Sequence, residues 1–221
     1  VLFVKELDAA LIEGRVDITV HSFKDMPMEI DANLPIVAVS ARENPRDVLV
    51  LPKGTDTLDI RCPIGCSSVR RGLQLRRIYE GCEVLPIRGN VITRLEKLDR
   101  GEFSAITLAF AGLKRLCLTE RISRVFSPDE MLPAACQGII AVQTRSGFDC
   151  PFLSVFHSED AWDISVAERS FVQALDGGCS SPVAAYGEIT GEELTLTGLY
   201  VTPHGEVVKM TATGNRTQGE A

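Results

Sequence analysis

A base and an acid stand side by side in the segment His21-Ser22-Phe23-Lys24-Asp25, which ends an apolar run and precedes Pro27. In α/β sheets, ligands bind at the carboxyl ends of strands. In that position Lys24 could bind an anion, and Asp25 could transfer protons or stabilise a cation. Taken alone, the segment is better explained as a surface ion pair beside a turn.

Two further segments place arginines at predicted helix starts. Ser67 and Ser68 are good helix caps, and Arg70 and Arg71 follow them in the first turn; Arg88-Gly89-Asn90, followed by Arg94, repeats this design. A helix N-terminus has free N–H groups and a partial positive charge, so arginines there are unfavourable unless an anion offsets them. Because arginine binds carboxylates through a two-pronged fork, these segments predict a site for several carboxylates.

The fourth segment contains Cys179 in the sequence Gly-Gly-Cys-Ser-Ser-Pro, directly after a predicted helix. Lone cysteines are mostly small buried hydrophobic residues, and we interpret the other six cysteines in that way. Cys179 differs because it lies in a glycine-rich loop rather than on a periodic apolar face. No neighbouring histidine indicates a Cys–His pair, which disfavours a protease and leaves stable covalent attachment open.

The composition of the chain, and the motifs that it lacks, argue against several classes of function. The 221 residues carry a net charge of −7, which argues against a general nucleic-acid binder, yet residues 66–115 hold ten bases and five acids. This basic middle of an acidic chain indicates a local anion site. The sequence has no apolar run long enough for a membrane span, no CxxC pair, no metal-ligand spacing of histidines and no Walker or GxGxxG motif.

Hydrophobic periodicity predicts strands that alternate with helices, which is typical of an α/β sheet covered on both faces. The predicted helices are residues 2–13, 69–79, 91–98, a segment ending at 116, and 164–175. The strands of the same region are 16–21, 34–39, 48–51, 64–66, 83–87, 105–108 and 138–143. After about residue 150, antiparallel strands are predicted at 188–189, 194–201 and 207–213, which indicates a small α+β domain.

The segments HSFKDMP, ENPRD, SSVRRGLQL, RGNVITRLEKLDRGEF, AGLKRL, MLPAACQG, AERSF and GGC follow one another in this order. Together they resemble the porphobilinogen deaminase (hydroxymethylbilane synthase) family over nearly the whole chain. The resemblance implies two domains similar to periplasmic binding proteins, with mixed sheets, and a small α+β third domain with a three-stranded antiparallel sheet. We expect domain 1 at residues 1–41 and 135–156, domain 2 at 42–134 and domain 3 at 157–221.

The same resemblance implies a transferase of tetrapyrrole (haem and porphyrin) biosynthesis. Four porphobilinogen molecules would be joined head to tail, with loss of ammonia, into linear hydroxymethylbilane. A dipyrromethane cofactor, linked by a thioether to Cys179, would prime the chain. The alternative is a non-catalytic, small-anion-binding module of the periplasmic-binding type, which would explain the two arginine segments but not Cys179.

The family's site residues carry over by position. Asp25 matches the catalytic aspartate and Cys179 the covalent attachment point. The residues that match groups holding the cofactor's side chains are Lys24, Ser68, Arg70, Arg71, Asn90 and Arg94. Those matched to substrate side chains are Arg88, Arg94 and Arg115. No metal is implied.

The chain departs from the family's usual residues at a few positions. Cys66 replaces threonine, Gly72 replaces glutamine, Ile92 and Cys136 replace glycine, and Ser180-Ser181 replaces Gln-Val. We expect the natural protein to include a preceding segment of domain 1 and a final helix. We also expect a monomer in the cytoplasm, or in an organelle stroma or matrix after loss of a transit peptide, without nucleic-acid or membrane partners.

Overall fold

The computed structural model of the chain describes residues 2–175, 182–202, 204 and 206–216. This part of the chain contains five α-helices and eleven β-strands, and the strands form three sheets. The helices are α1 (Leu2–Ile12), α2 (Val69–Ile78), α3 (Val91–Asp99), α4 (Phe110–Arg115) and α5 (Glu159–Ala174). The strands are β1 (Ile18–Ser22), β2 (Ile36–Val39), β3 (Asp47–Val50), β4 (Ile64–Gly65), β5 (Val84–Leu85), β6 (Ala105–Ala109), β7 (Arg124–Val125), β8 (Ile140–Thr144), β9 (Ala184–Thr190), β10 (Glu193–Val201) and β11 (Val207–Asn215).

The first sheet has the order β1-β8-β2, and both of its pairings are antiparallel. Its central strand comes from a distant part of the sequence, because the chain leaves after β2, builds the second sheet and returns as β8. The five-stranded second sheet, β5-β4-β6-β3-β7, is mixed: β4 runs parallel to β5 and β6, whereas β3 runs antiparallel to β6 and β7. Helices α2 and α3 supply the crossovers that parallel strands require.

Side-chain caps set the starts of both crossover helices. The Ser68 hydroxyl accepts a hydrogen bond from the backbone N–H of Arg71, and the side-chain Oδ1 of Asn90 accepts one from the backbone N–H of Thr93. Gly89, just before Asn90, has φ +118°, and a Cβ there would collide with Thr93. The turn into α3 therefore requires glycine at this position.

The third sheet, β9-β10-β11, is an antiparallel meander on which α5 packs. Helix α5 also contacts the first sheet, since Ala161 and Val172 share a buried cluster with Phe23, Val39 and Ala141. The third unit is thus joined to the first through apolar burial, which contributes about 25 cal/mol per Å² of apolar surface removed from water.

Two chain segments, residues 40–46 and 126–139, connect the first two sheets and run close together. The N–H of Glu43 donates to the carbonyl oxygen of Gly138, and a Cβ on Gly138 would collide with the carbonyl of Glu43. Gly138 has φ +94°, which also favours glycine. Cys136, two residues earlier, has φ 59°, which gives a physical reason for the glycine usual in the family at that position.

The predicted fold class is confirmed: mixed α/β architecture is followed by a small antiparallel three-stranded sheet with a helix. Helix α5 begins five residues earlier than predicted, because Ser158 caps it by accepting from the N–H of Ala161. The short strand β7 has no counterpart among the predicted strands. The three domain ranges stay predictions, although β3 to β7 fall within residues 42–134.

The expectation of six buried cysteines was wrong for two of them. Cys62 and Cys117 are exposed, Cys150 is half-buried, and Cys66, Cys82 and Cys136 are buried; all six are free thiols. Cys62 and Cys117 lie in turns rather than on periodic apolar faces, so no packing surface covers them. Within the described ranges, no helix has the length and apolar character needed to cross a membrane.

Candidate active site

A cleft of about 490 Å³ opens between the first two sheets and receives side chains from the third unit. Three of the four segments singled out above contribute to it, each from the end of a strand. The polar lining residues are Ser22, Lys24, Asp25, Ser67, Ser68, Arg70, Arg71, Asn90, Arg94 and Gln137. The size is that of a small-molecule site.

Lys24 and Asp25 reach the cleft on a single turn of 3-10 helix, Phe23–Asp25, directly after β1. Phe23 anchors this turn, since its side chain is buried and its N–H donates to the carbonyl oxygen of Ile139 at 3.0 Å. Lys24 is half-buried and donates to Gln137 Oε1 at 3.1 Å, whereas Asp25 is exposed. The carboxylate of Asp25 is therefore accessible to a ligand in the cleft.

Arg70 and Arg71 lie on the deep wall and share Asp47 as a partner. Arg70 Nη1 lies 2.7 Å from Asp47 Oδ2, and Arg71 Nε lies 2.9 Å from Asp47 Oδ1. All three side chains are buried, with Asp47 fully so. Burial by itself would raise the pKa of Asp47, but the charges and hydrogen bonds of Arg70 and Arg71 outweigh it and hold that pKa far below its usual range.

This arrangement corrects one part of the sequence argument. The two arginines in the first turn of α2 do require an anion, but the protein supplies one in Asp47, at the start of β3. Arg71 is also held by Gln137 Oε1 and the carbonyl oxygen of Thr107. Several N–H donors of the Arg71 guanidinium are thus hydrogen-bonded within the protein and do not point into the cleft.

Ser68, Asn90 and Arg94 lie where the sequence predicted, at the starts of α2 and α3. The Arg94 guanidinium donates through Nε to the carbonyl oxygen of Gly89 at 2.8 Å and is half-buried. Burial, together with the positive charge of Arg71, lowers the pKa of Arg94. A second cation so close favours an incoming anion.

The structure does not bring Arg88 and Arg115 into the cleft wall. Arg88 is exposed, and the ammonium of Lys97 is hydrogen-bonded to its carbonyl oxygen at 3.2 Å. Arg115 is exposed and donates through Nη2 to the carbonyl oxygen of Gly138 at 2.7 Å. Cys179 lies outside the described residues.

Sequence reasoning assigned no role to Asp47, Gln137 or the ion pair of Arg42 and Glu168. Arg42 Nη1 lies 2.6 Å from Glu168 Oε1, and the Glu168 carboxylate also accepts from the N–H groups of Cys136 and Gly187. Burial raises the pKa of Glu168, and Arg42 partly offsets this rise. Glu168 thereby joins helix α5 to both connecting segments, a long-range pairing that no local pattern indicates.

The charges of the lining residues indicate which kind of ligand the cleft can bind. Among the lining residues that the structure describes, four are basic (Lys24, Arg70, Arg71 and Arg94) and one, Asp25, is acidic. Helix N-termini at Ser68 and Asn90 add partial positive charge. The cleft is suited to a ligand with several carboxylates, and Asp25 supplies a single negative charge to one part of it.

Comparison with known proteins assigns the chain to a family. The model of the porphobilinogen deaminase dipyrromethane cofactor-binding domain matches residues 1–149, and that of the porphobilinogen deaminase C-terminal domain matches residues 162–221. Porphobilinogen deaminase of Acetivibrio thermocellus is 70% identical over 220 residues, covering 100% of this chain and 75% of the relative. The chain belongs to the porphobilinogen deaminase family.

A second relative gives the same assignment. Porphobilinogen deaminase of Alkaliphilus oremlandii is 71% identical over 219 residues, covering 99% of this chain and 74% of the relative. As a member of this family, the protein is a transferase of tetrapyrrole biosynthesis that condenses four porphobilinogen molecules into hydroxymethylbilane and uses a dipyrromethane cofactor. The non-catalytic anion-binding module is not favoured by these matches.

Two solved structures are reported among those to which the chain is similar. The VFT2 domain of Bordetella pertussis BvgS has a TM-score of 0.41 at 17% identity, covering 76% of this chain and 72% of that one. The second substrate-binding domain of a putative amino acid ABC transporter from Streptococcus pneumoniae also has a TM-score of 0.41, at 13% identity, covering 76% and 71%.

Proposed function

We propose that the cleft between the first two sheets holds the carboxylates of dipyrromethane and of the growing pyrrole chain, and that Asp25 is the catalytic residue. The observation that carries this proposal is the grouping of four basic side chains and one exposed carboxylate in a single cleft. Each charge-assisted hydrogen bond to a ligand carboxylate contributes roughly 1.5–3 kcal/mol.

The residues present fit dipyrromethane. Two linked pyrroles with two carboxylates on each ring need several cationic partners, and Lys24 and Arg94 lie at the cleft wall with Arg70 and Arg71 behind them. The N–H groups at the starts of α2 and α3, capped by Ser68 and Asn90, supply further donors. When bound, dipyrromethane supplies the electron-rich pyrrole carbon to which the first substrate is joined.

Asp25 acts where positive charge develops on the substrate. Ammonia leaves the aminomethyl group of porphobilinogen as the ring nitrogen donates electron density, so the pyrrole becomes cationic. A fixed carboxylate near that nitrogen stabilises the charge in the transition state. The same group can take a proton from the newly joined ring as a carboxylate and, once protonated, can give one to a leaving amine.

The neighbours of Cys179 in the chain support its assignment as the attachment point. Val172 and Val183, described residues on either side of residues 176–181, both line the cleft. Cys179 is four residues from Val183, and an extended chain of that length reaches no more than about 14 Å. The chain length therefore permits a thioether from Cys179 to a group in the cleft.

Arg88 and Arg115 keep their proposed role in binding substrate side chains as predictions. Both are exposed, and both lie on elements that border the cleft: Arg88 precedes Gly89 and Asn90, and Arg115 ends α4. We also propose that the protein acts as a monomer in the cytoplasm and has no nucleic-acid partner, in keeping with its acidic net charge.

Leucine substitutions of Arg94 and Arg71 are expected to separate ligand binding from folding. Arg94→Leu should raise KM for porphobilinogen at least tenfold with little change in Tm, since its side chain borders the cleft. Arg71→Leu should destabilise the fold by about 3–5 kcal/mol, because it removes one partner of the buried Asp47. Arg94→Lys should impair binding nearly as much as Arg94→Leu if the site uses the fork.

Arg76→Leu is the matched control, since Arg76 is exposed on the same helix as Arg71 and does not line the cleft. Steady-state kinetics and thermal unfolding of the four variants test the proposal. An Arg94→Leu protein with unchanged KM would contradict the proposed role of Arg94.

The pH dependence of catalysis should report the charge of Lys24. Burial, followed by the charge of Arg71, lowers the pKa of Lys24 to about 8 from its usual value of 10.5. Lys24 is cationic below this pH, so kcat/KM for porphobilinogen should fall as pH rises through about 8. The unfolded chain keeps its proton up to about 10.5, so the contribution of Lys24 to folding stability should rise between pH 8 and 10.5.

Lys24→Arg provides the check, since arginine stays charged throughout this range. The fall in kcat/KM near pH 8 should disappear in that variant, even if its absolute rate is lower. A profile with the same fall in both proteins would assign the titration to another group.

A further inference from the structure

Gln137 is the buried centre of the hydrogen-bond network behind the cleft. Its side chain, 1% exposed, lies in the segment that connects the second sheet to the first. Its Nε2 donates to the carbonyl oxygen of Pro45 at 2.6 Å and to Asp47 Oδ1 at 2.8 Å. Its Oε1 accepts from Lys24 Nζ at 3.1 Å and from Arg71 Nη2 at 3.4 Å. Both ends of the amide are therefore used.

These partners permit only one orientation of the amide. Both acceptors lie at the nitrogen end and both cationic donors at the oxygen end. A flipped amide would place its NH₂ group against two cations and its oxygen against a carboxylate and a carbonyl. The amide oxygen is thus fixed toward Lys24.

The neutral character of Gln137 matters as much as its geometry. Its oxygen can hold the Lys24 ammonium in place without cancelling the positive charge. A carboxylate at the same position would hold the ammonium more strongly but would compete with a ligand carboxylate for it. The segment around Gln137 also links the turn after β1, which carries Lys24, to β3, which carries Asp47.

We propose that Gln137 is a positioning residue for the reaction: its amide oxygen places the Lys24 ammonium against Arg71 and keeps it charged for a carboxylate of the ligand. The inference rests on the proposed function in one respect, namely that Lys24 binds a carboxylate of cofactor or substrate. The contact between Gln137 and Lys24 is independent of that role.

Titration of Lys24 measures directly how Gln137 affects the charge of the Lys24 ammonium. The charged groups that act on Lys24 are Arg70, Arg71, Asp25 and Asp47, and its pKa, lowered to about 8, lies in an accessible range. Lysine labelled with ¹³C at Cε gives a signal whose shift follows protonation of Nζ. The Lys24→Arg protein identifies that signal by its absence.

The experiment compares the parent protein with Gln137→Glu and Gln137→Met. In Gln137→Glu, the Lys24 midpoint should rise by about one pH unit or more, a tenfold gain in proton affinity. In Gln137→Met, which keeps the side-chain length but removes the acceptor, the midpoint should fall below that of the parent. KM for porphobilinogen should rise about tenfold in Gln137→Glu, while kcat changes less than about threefold.

Gln143→Met is the control for loss of a buried amide, since Gln143 lies in β8 and donates to the carbonyl oxygen of Leu34. It should lower Tm without moving the Lys24 midpoint. Unchanged Lys24 midpoints in the Gln137 variants would overturn the proposal and leave Gln137 a packing residue. If Gln137→Glu does not fold, the direction of the shift in Gln137→Met decides the question.

Two outcomes separate this inference from the proposed function. If the Lys24 midpoint moves in the Gln137 variants but KM does not, the positioning role in the reaction is overturned. If the parent protein itself does not consume porphobilinogen, the proposed function fails, and the Lys24 titration still tests the contact with Gln137.

Discussion

Replacing Asp25 with asparagine should lower the turnover of porphobilinogen by a factor on the order of 10² or more while the protein stays folded. Asparagine keeps the size of the side chain and most of its hydrogen bonding but removes the charge. Asp25 is exposed in the cleft, and it is the one acidic side chain among the described lining residues. Loss of its charge therefore leaves the developing pyrrole cation beside four basic side chains.

The competing explanation, a surface ion pair beside a turn, makes a different prediction. Breaking such a pair changes stability by about 0–1 kcal/mol and leaves the rate unchanged. Measurements of kcat, Tm and intact mass on Asp25→Asn distinguish the two, because attachment of dipyrromethane should persist. Asp56→Asn, at an exposed loop position away from the cleft, is the matched control. A near-normal kcat in Asp25→Asn would refute the catalytic assignment.

Local patterns were sufficient to predict the elements that carry the site. The start of α2 follows from the capping serines 67 and 68, of which Ser68 is the cap in the structure, and the start of α3 follows from the turn at residues 88–90, in which Asn90 is the cap. The early start of α5 also had a local signal, since Ser158 is followed by Glu159 and Asp160, acids that suit a first helical turn. Here the capping pattern was stronger evidence than hydrophobic periodicity, which placed the start at residue 164.

The partners of the arginines could not be predicted in this way. Electrostatics at the start of α2 showed that Arg70 and Arg71 need an anion, but not which one. Asp47 lies 23 residues from Arg70, and Gln137 lies 113 residues from Lys24. Asp47 and Arg70 meet within the second unit, where the start of β3 lies beside α2, and Gln137 meets Lys24 where the chain returns from the second sheet to the first. The segments ENPRD and MLPAACQG therefore contain these residues without revealing their contacts.

Chain position also did not indicate which of Arg88 and Arg94 would line the cleft. Both flank the start of α3, and the sequence favours neither one. In the structure, Arg94 lies within the helix, donates to the carbonyl oxygen of Gly89 and lines the cleft, whereas Arg88 precedes the turn and is exposed. The positive φ of Gly89 redirects the chain between the two residues, and a turn of that kind sets side-chain direction more than spacing does.

Replacing Cys179 with serine should abolish attachment of dipyrromethane completely. The purified parent protein should be heavier than its sequence by two linked pyrrole units, and Cys179→Ser should have the mass of the sequence alone. A thioether needs a soft, strongly nucleophilic sulfur, and a serine hydroxyl at neutral pH does not replace it. Turnover should fall to background, because no primer remains for the first condensation.

Cys62→Ser is the matched control, since Cys62 is an exposed free thiol. Its protein should keep the added mass and turn pink with an acidic aldehyde reagent for pyrroles, as the parent should, while Cys179→Ser stays colourless. The exposed Cys62 and Cys117 are the alternative attachment points among the described thiols, and both lie outside the cleft wall. Peptide mapping decides between them: an unmodified Cys179 peptide from an active preparation would exclude Cys179 as the anchor, because an active protein must carry its primer on some residue.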